Sequence, residues 1–357
     1  MSIFDSVLKD SESLFKNEIA LAYEFIPKII PYREQQQRTI ASAIAPLFND
    51  RTGRNLIIHG PPGVGKTVAT KKVLMELEEK TDEIVPLYIN CWQRNTSYKI
   101  MLELCNLIDY KFTHNKKTDE LFAVIQTMLN KTNSVFVFDE IDKVEDVDFL
   151  YWILSDILKK SIILLTNYKD RVADMDMRIK SRLTPETLEF KPYNKEETRG
   201  ILDRRRELAF HEGVWKKQAF QKVVDKTFEI LDIRTGLHLM KESGLAAEER
   251  ASRVVEEKDV DSAIRKLDEF KIKSSDELDD DIKAILTLIK KEGQGRIGDF
   301  FKEYQQSGGT ASYKTFQRKI NKLAEGKFIT VKRIPGGSQG NTTMISYNTA
   351  TKTLDEF

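Results

Sequence analysis

The sequence predicts an α/β protein with a parallel sheet, continued by an all-helical domain and a small C-terminal domain of helices and a hairpin. Three observations support this. Residues 60–67 match a phosphate-binding loop at every fixed position, between a short apolar strand and a helix. Apolar strands alternate with helical patterns as far as residue 190, whereas residues 194–270 show only helical patterns. After residue 282, three amphipathic helices precede two alternating segments.

The phosphate-binding loop is the motif around which the first domain is organised. Its glycines let backbone N–H groups converge on an anion, and the following helix start adds partial positive charge. Lys66 would reach the β- and γ-phosphates of a nucleotide, and Thr67 would place its hydroxyl on Mg²⁺. We therefore predict a nucleotide-binding protein. The predicted loop contacts are Gly60, Pro61, Pro62, Gly63, Val64, Gly65, Lys66, Thr67 and Val68.

Polar residues follow two of the predicted buried strands. The apolar run 135–138 ends in Asp139 and Glu140, and the run 162–166 ends in Asn167. Asp139 could hold Mg²⁺ through water, and Glu140 could orient and deprotonate an attacking water molecule. Asn167 could hydrogen-bond that water or the γ-phosphate, or could simply be a turn former after a strand. Because parallel strands end at one edge of a sheet, this chemistry is expected at the carboxyl edge.

Composition restricts the class of protein. A chain of 357 residues suggests two or three domains. It has no apolar run near the ~18 residues that a membrane span needs, and its start lacks the features of a signal peptide. Cys91 and Cys105 form no CxxC pair, and the four histidines have no metal-binding spacing. We predict a cytoplasmic protein without zinc or membrane contact, with both thiols buried.

The sequence divides into five predicted regions. A proline-led turn at 31–33 begins the first helix, which is expected to run to about residue 48. Tyr32 and Arg33 therefore either border an adenine pocket or only start that helix. The arm is expected to pack on the domain that follows it. The regions are an N-terminal arm (1–30), a nucleotide-binding base domain (31–192), a helical domain (193–270), a polar linker (271–281) and a C-terminal domain (282–357).

The C-terminal domain is predicted to be a winged helix. From residue 282 onward there are 13 Lys and Arg against 6 Asp and Glu, whereas the rest of the chain has 44 against 50. An apolar stripe on helix 312–325 would turn its basic residues outward, which favours DNA over the alternative of a protein-binding winged helix. The predicted DNA contacts here are Ser312, Lys314, Thr315, Arg318, Lys322, Lys332, Arg333, Gly337 and Gln339.

Together these motifs resemble the AAA+ ATPases. The C-terminal winged helix narrows the resemblance to archaeal replication initiators of the origin recognition complex and cell-division-control type. The resemblance covers nearly the whole chain, from residues 30–34 through 190–193 to the end of the hairpin. It implies an AAA+ base domain with a parallel sheet, a helical lid over the nucleotide, and a winged helix for DNA.

The resemblance also implies roles for individual residues. Lys66, Thr67, Asp139 and Glu140 match the family's nucleotide and Mg²⁺ positions. Tyr193, in the matching segment 190–193, is a further expected nucleotide contact. Asn167 matches the first sensor and Arg234 the second, while Arg182 occupies the place of an arginine finger, with Arg178 as the alternative. The family's insertion, which touches the minor groove, makes Arg94 and Lys99 candidate DNA contacts. These assignments follow from matched positions in the sequence.

Three functions fit this pattern. The first is an ATP-switched initiator that binds origin DNA and recruits a replicative helicase, with ATP or ADP and Mg²⁺ as cofactors. The second is a clamp-loader-like ATPase, but those subunits end in a helical collar. The third is a DNA-binding regulator that carries nucleotide without significant turnover. We favour the first: a nucleoid-associated, weak ATPase whose partners are double-stranded origin DNA, other initiator protomers and the helicase.

Overall fold

The computed structural model describes residues 13–168, 176–276, 280–309, 311–325, 328–334 and 342–347. The chain divides into two compact units, Met1–Ile264 and Arg265–Phe357.

The first unit is built on a parallel sheet with the strand order β2-β3-β4-β1-β5. Strands β1 and β4 are buried along their whole length, because helices cover both faces of the sheet. The sequence predicts strands at 55–59, 85–90, 135–138, 162–167 and 188–190, and each bound lies within two residues of the observed one. The strands are Leu56–His59 (β1), Ile84–Asn90 (β2), Asn133–Asp139 (β3), Lys160–Thr166 (β4) and Glu186–Glu189 (β5).

Helices flank this sheet and then form the lid. Side chains of alternate strand residues pack against α1 and α2 on one face and against α3, α4 and α5 on the other. The helices are Glu34–Ile44 (α1), Lys66–Lys80 (α2), Ser97–Leu107 (α3), Thr118–Leu129 (α4), Asp148–Asp156 (α5), Met177–Leu183 (α6), Lys195–Ala209 (α7), Lys217–Ile230 (α8), Ile233–Glu249 (α9) and Glu257–Asp276 (α10). None of the helices in the described residues could cross a membrane.

The arm contacts the lid, which corrects the expectation that it packs on the domain that follows it. The backbone N–H groups of Lys16 and Asn17 donate to the carbonyl oxygen of Ala209, at 2.8 and 3.0 Å. The ring centroids of Phe15 and Phe210 lie 4.7 Å apart. The lid therefore offers the arm both a helix-end carbonyl and an aromatic surface, and neither is visible from the arm's own weak periodicity.

Two further predictions are corrected. The segment 271–281, predicted as a linker, is helical through residue 276 and again from residue 280. Lysine and glutamate are good helix formers, so polar composition alone does not separate an exposed helix from a linker. The first helix, predicted to continue to about residue 48, ends at Ile44 and continues as a 3₁₀ helix over Ala45–Asn49, with Pro46 near its start.

The second unit combines three helices with an antiparallel sheet of order β6-β8-β7. The three helices and two of the strands were predicted, whereas the three-residue strand β6 was not. Its core is formed by the apolar stripe of α13 and by residues of α11, α12 and the sheet. The elements are Asp280–Glu292 (α11), Gln294–Arg296 (β6), Ile297–Gln306 (α12), Tyr313–Glu325 (α13), Ile329–Ile334 (β7) and Thr342–Tyr347 (β8).

Candidate nucleotide site

The phosphate-binding loop requires glycine at two positions, where an added side chain would also collide with a neighbouring residue. Gly63 and Gly65 both have left-handed backbone conformations, with φ of +77° and +89°. A Cβ atom on Gly63 would lie 2.1 Å from Oδ1 of Asp232, and one on Gly65 would lie 2.7 Å from the hydroxyl of Tyr193. The loop is therefore packed closely against residues beyond the sheet, and helix α2 begins directly after it at Lys66.

Lys66 is only 7% exposed, and neutral oxygens surround its ammonium group. Its Nζ donates to the carbonyl oxygens of Gly60 and Pro61, at 2.6 and 2.8 Å, and to Oδ1 of Asn167, at 2.9 Å. Burial lowers the pKa of Lys66 to about 8. A buried ammonium held by neutral acceptors fits an anionic phosphate, which would raise the pKa again. The fold thus joins Lys66 to Asn167, a pairing that the sequence did not reveal.

Thr67 and Asp139 meet at the foot of the loop. The Thr67 hydroxyl donates to Oδ2 of Asp139 at 2.6 Å, and Asp139 is 3% exposed at the end of β3. A hydroxyl oxygen and a carboxylate are the hard oxygen ligands that Mg²⁺ accepts, directly or through water. This donor set fits the predicted magnesium site.

Tyr88, which the sequence did not single out, joins the same carboxylate. Its hydroxyl donates to Oδ2 of Asp139 at 2.7 Å, from the neighbouring strand β2. Burial and the charge of Asp139 raise the pKa of Tyr88. The pattern of alternating residues in β2 could have placed Tyr88 near the sheet edge, but not its hydroxyl on Asp139.

Glu140 occupies a strained turn directly after β3. Its φ of +56° is left-handed, a conformation that non-glycine residues seldom adopt outside turns and functional sites. Burial raises the pKa of its carboxyl group, and the charges of Asp139 and Asp142 act in the same direction. Asp142 in turn accepts a hydrogen bond from the Thr166 hydroxyl at 3.1 Å, which ties the end of β3 to the end of β4.

Arg234 reaches the site from the lid. Asp232 caps helix α9 by accepting from the backbone N–H of Arg234, and the two side chains form an ion pair of 2.7 Å between Nη2 and Oδ2. The same Asp232 carboxylate lies against Gly63 of the loop. The lid and the phosphate-binding loop are therefore in direct contact beside Arg234.

These side chains share one cavity of about 530 Å³. It brings together eleven residues predicted from the sequence. They are Pro62, Gly63, Gly65, Lys66, Thr67, Val68, Asp139, Glu140, Asn167, Tyr193 and Arg234. The prediction missed residues 23–31, which line the cavity together with lid residues such as Arg205. The Nη2 group of Arg205 donates to the carbonyl oxygen of Phe25 at 3.2 Å, so the lid holds this segment in place.

Arg33 lies behind the loop and directly before α1, which agrees with the second of its two predicted alternatives, the start of the first helix. Within the part of the chain that is described, neither Tyr32 nor Arg33 is among the residues that line the cavity. Arg33 is 4% exposed, and its guanidinium donates to the carbonyl oxygens of Val64 at 3.0 Å and Lys191 at 2.6 Å. It also stacks 3.8 Å from the ring centroid of Tyr193, which does line the cavity.

Both candidate arginine fingers lie outside the cavity. Arg178 pairs with Asp176 at 2.8 Å. Arg182 is exposed, and its Nη1 donates to the carbonyl oxygen of Arg178 at 3.3 Å. Both guanidinium groups lie near the ring of Tyr151, at 5.7 Å for Arg178 and 4.9 Å for Arg182. In this chain neither arginine reaches its own nucleotide site.

The candidate DNA contacts are placed in part. Arg94 pairs with Glu103 at 2.9 Å, and Lys99 donates to Asn95 at 2.8 Å. In the second unit, Lys314 and Arg318 are exposed on α13. Ser312 and Thr315 hydrogen-bond to each other at 3.0 Å. The side chains of Lys322, Lys332 and Arg333, and the whole of Gly337 and Gln339, lie outside the described residues.

Comparison with known proteins decides the family. Residues 49–166 match the AAA domain, and residues 199–265 match the Cdc6 AAA+ ATPase-type lid domain. ORC1-type DNA replication protein 1 of Archaeoglobus fulgidus is 31% identical over 75% of this chain and 69% of its own length. The chain belongs to the ORC1-type DNA replication proteins. ORC1-type protein 3 of Haloarcula marismortui is 28% identical over 89% of both chains.

Solved structures show the same fold for this ORC1-type chain. The Aeropyrum pernix ORC1 protein in complex with DNA has a TM-score of 0.74, with 24% identity over 94% of both chains. Cdc6p of Pyrobaculum aerophilum has a TM-score of 0.66, with 19% identity over 94% of both chains. The resemblance drawn from the motifs and the predicted AAA+ fold are therefore confirmed, and the chain is a member of an ATPase family.

Proposed function

We propose that this ORC1-type protein is an ATP-switched initiator that binds origin DNA and directs loading of a replicative helicase. The observation that carries the proposal is the single cavity in which the loop, both strand-end acids, Asn167 and Arg234 converge. A protein that only stores nucleotide needs the loop, but it has no need of Glu140 and Asn167 beside it.

Each residue has a definite task in this proposal. Backbone N–H groups of the loop bind the phosphates, and Lys66 exchanges the carbonyl oxygens of Gly60 and Pro61 for phosphate oxygens. Thr67 and Asp139 would hold Mg²⁺, which when bound offsets phosphate charge. Glu140 accepts the proton of the attacking water.

Slow turnover is part of this proposal. Asn167 accepts a hydrogen bond from Nζ of Lys66, which competes with its role in orienting water, and Glu140 acts from a strained backbone. A slow chemical step keeps ATP bound for long periods, which suits a switch better than a motor. Arg182, exposed and outside its own cavity, would complete the site of a neighbouring protomer.

DNA binding is assigned to the second unit, as a winged helix. Its helix α13 buries Phe316 and leaves Lys314 and Arg318 exposed, so the basic face is available to a duplex. The relatives are named as DNA replication proteins, and the Aeropyrum pernix ORC1 protein was solved in complex with DNA. Phosphate contacts should dominate affinity, whereas base contacts should set sequence preference.

The decisive experiment measures binding of the full chain to labelled fragments of chromosomal DNA, with ATP and with ADP, over a range of salt. Lys314→Ala should weaken binding to every duplex and reduce the salt slope by about 0.9, as expected when one phosphate contact is lost. Arg318→Ala should reduce discrimination between preferred and random fragments by about 1–3 kcal/mol. Lys302→Ala, an exposed lysine on α12, is the matched control. Nucleotide-independent, salt-insensitive binding would contradict the proposal.

A further inference from the structure

Tyr88 connects two parts of the nucleotide site through one oxygen atom. Its hydroxyl and that of Thr67 both donate to Oδ2 of Asp139, at 2.7 and 2.6 Å. Tyr88 is on β2 and Thr67 is on α2, so two elements on either side of Asp139 fix the same carboxylate oxygen.

Two donors restrict how Asp139 can turn. A carboxylate oxygen has about two lone-pair directions, so Tyr88 and Thr67 occupy those of Oδ2 and leave Oδ1 for other ligands. Rotation of the carboxylate would break both hydrogen bonds at once. Because the Thr67 hydroxyl donates its proton to Asp139, its own lone pairs remain free for a cation.

The aromatic ring of Tyr88 is itself held in position. Nζ of Lys71, on the second turn of α2, lies 4.4 Å from the ring centroid, within the range of a cation–π interaction. In the β2–β3 register, Tyr88 pairs with Val137, two residues before Asp139, so the hydroxyl reaches forward along the sheet to its edge. The register of β2 on β3 therefore fixes the backbone end of Tyr88, and Lys71 of α2 holds the face of its ring.

We propose that Tyr88 is a positioning residue that sets the Mg²⁺ affinity of the nucleotide site by orienting Asp139 and, through it, Thr67. The inference depends on the proposed function, because it assumes that these two residues hold Mg²⁺ with a bound nucleotide. A purely space-filling role would need the ring of Tyr88 but not its hydroxyl, so Tyr88→Phe separates the two roles.

The test is a Mg²⁺ titration of the full chain with a fluorescent ribose-labelled ADP analogue. In EDTA, Tyr88→Phe should bind the analogue within about twofold of wild type, because the loop and Lys66 are unchanged. The MgCl₂ concentration that gives half of the affinity gain should rise about 10-fold or more, as for other residues that orient a metal ligand. Tyr98→Phe, which alters an exposed tyrosine on α3, should match wild type in both conditions.

Single-turnover hydrolysis and a second variant complete the test. The Tyr88→Phe defect in rate should largely disappear at saturating MgCl₂, since affinity and not the chemical step is changed. Lys71→Met, which keeps the hydroxyl but releases the ring, should shift the Mg²⁺ midpoint in the same direction by a smaller factor. Thermal melting without nucleotide verifies that both variants are folded.

The outcomes separate this inference from the proposed function. An unchanged Mg²⁺ midpoint in folded Tyr88→Phe overturns the inference while leaving the proposed function intact. Equal loss of affinity with and without Mg²⁺ also overturns it, because that is the signature of a structural role. Failure of the wild-type protein to bind the ADP analogue at all would overturn the proposed function itself, and the inference with it.

Discussion

Replacing Arg33 with methionine should weaken ADP binding by about 30-fold without changing the preference for adenine over guanine nucleotides. The guanidinium joins Val64 in the phosphate-binding loop to Lys191 at the end of the sheet, and it stacks on Tyr193. Each hydrogen bond from a charged donor contributes about 1.5–3 kcal/mol, and the stacking about 1 kcal/mol more. These free-energy contributions are not additive. Part of the lost free energy lowers the stability of the whole fold and not that of the loop alone. A net loss of about 2 kcal/mol in loop preorganisation corresponds to the 30-fold change.

The assay is competition between ADP and GDP for the fluorescent analogue, with wild type and Arg33→Met measured side by side. Arg38→Met, an exposed arginine on the same helix, is the matched control and should bind like wild type. Methionine retains most of the apolar contact of the arginine stem, so the change tests the guanidinium. Unchanged ADP affinity would refute the bracing role. Selective loss of ADP over GDP would instead show that Arg33 contacts the base.

Three further predictions concern catalysis, protonation and stability. Glu140→Gln should keep nucleotide binding and slow single-turnover hydrolysis by about 10²–10⁴-fold; an unchanged rate would contradict its role as the base. ADP affinity in Mg²⁺-free buffer should fall between pH 7 and pH 9, because Lys66, with a pKa of about 8, goes from about 90% to about 10% protonated in the free protein. A flat profile would mean that its charge is not used. Phe316→Ala should destabilise the second unit by about 3–5 kcal/mol in denaturant unfolding, since the ring is fully buried. A smaller loss of stability would show that neighbouring side chains move in to fill the cavity.

The sequence by itself determined the parts of this protein that depend on local patterns. The phosphate-binding loop is contiguous, and each strand-end residue follows its own apolar run, so Lys66, Asp139 and Asn167 could be assigned from the order of residues alone. Helical periodicity likewise identified the lid and the apolar stripe of α13, because a helix repeats its buried face every three or four residues.

Only the tertiary structure decided which residues brace the site. Arg33, Tyr88 and residues 23–31 act through contacts with partners far along the chain, such as Lys191, Asp139 and the lid. A buried arginine that donates to backbone carbonyls has no partner side chain to mark it in the sequence. A tyrosine in an apolar strand likewise looks like core until the neighbouring strand brings a carboxylate to its hydroxyl. Strand order and register create these pairings, and local periodicity carries no information about either.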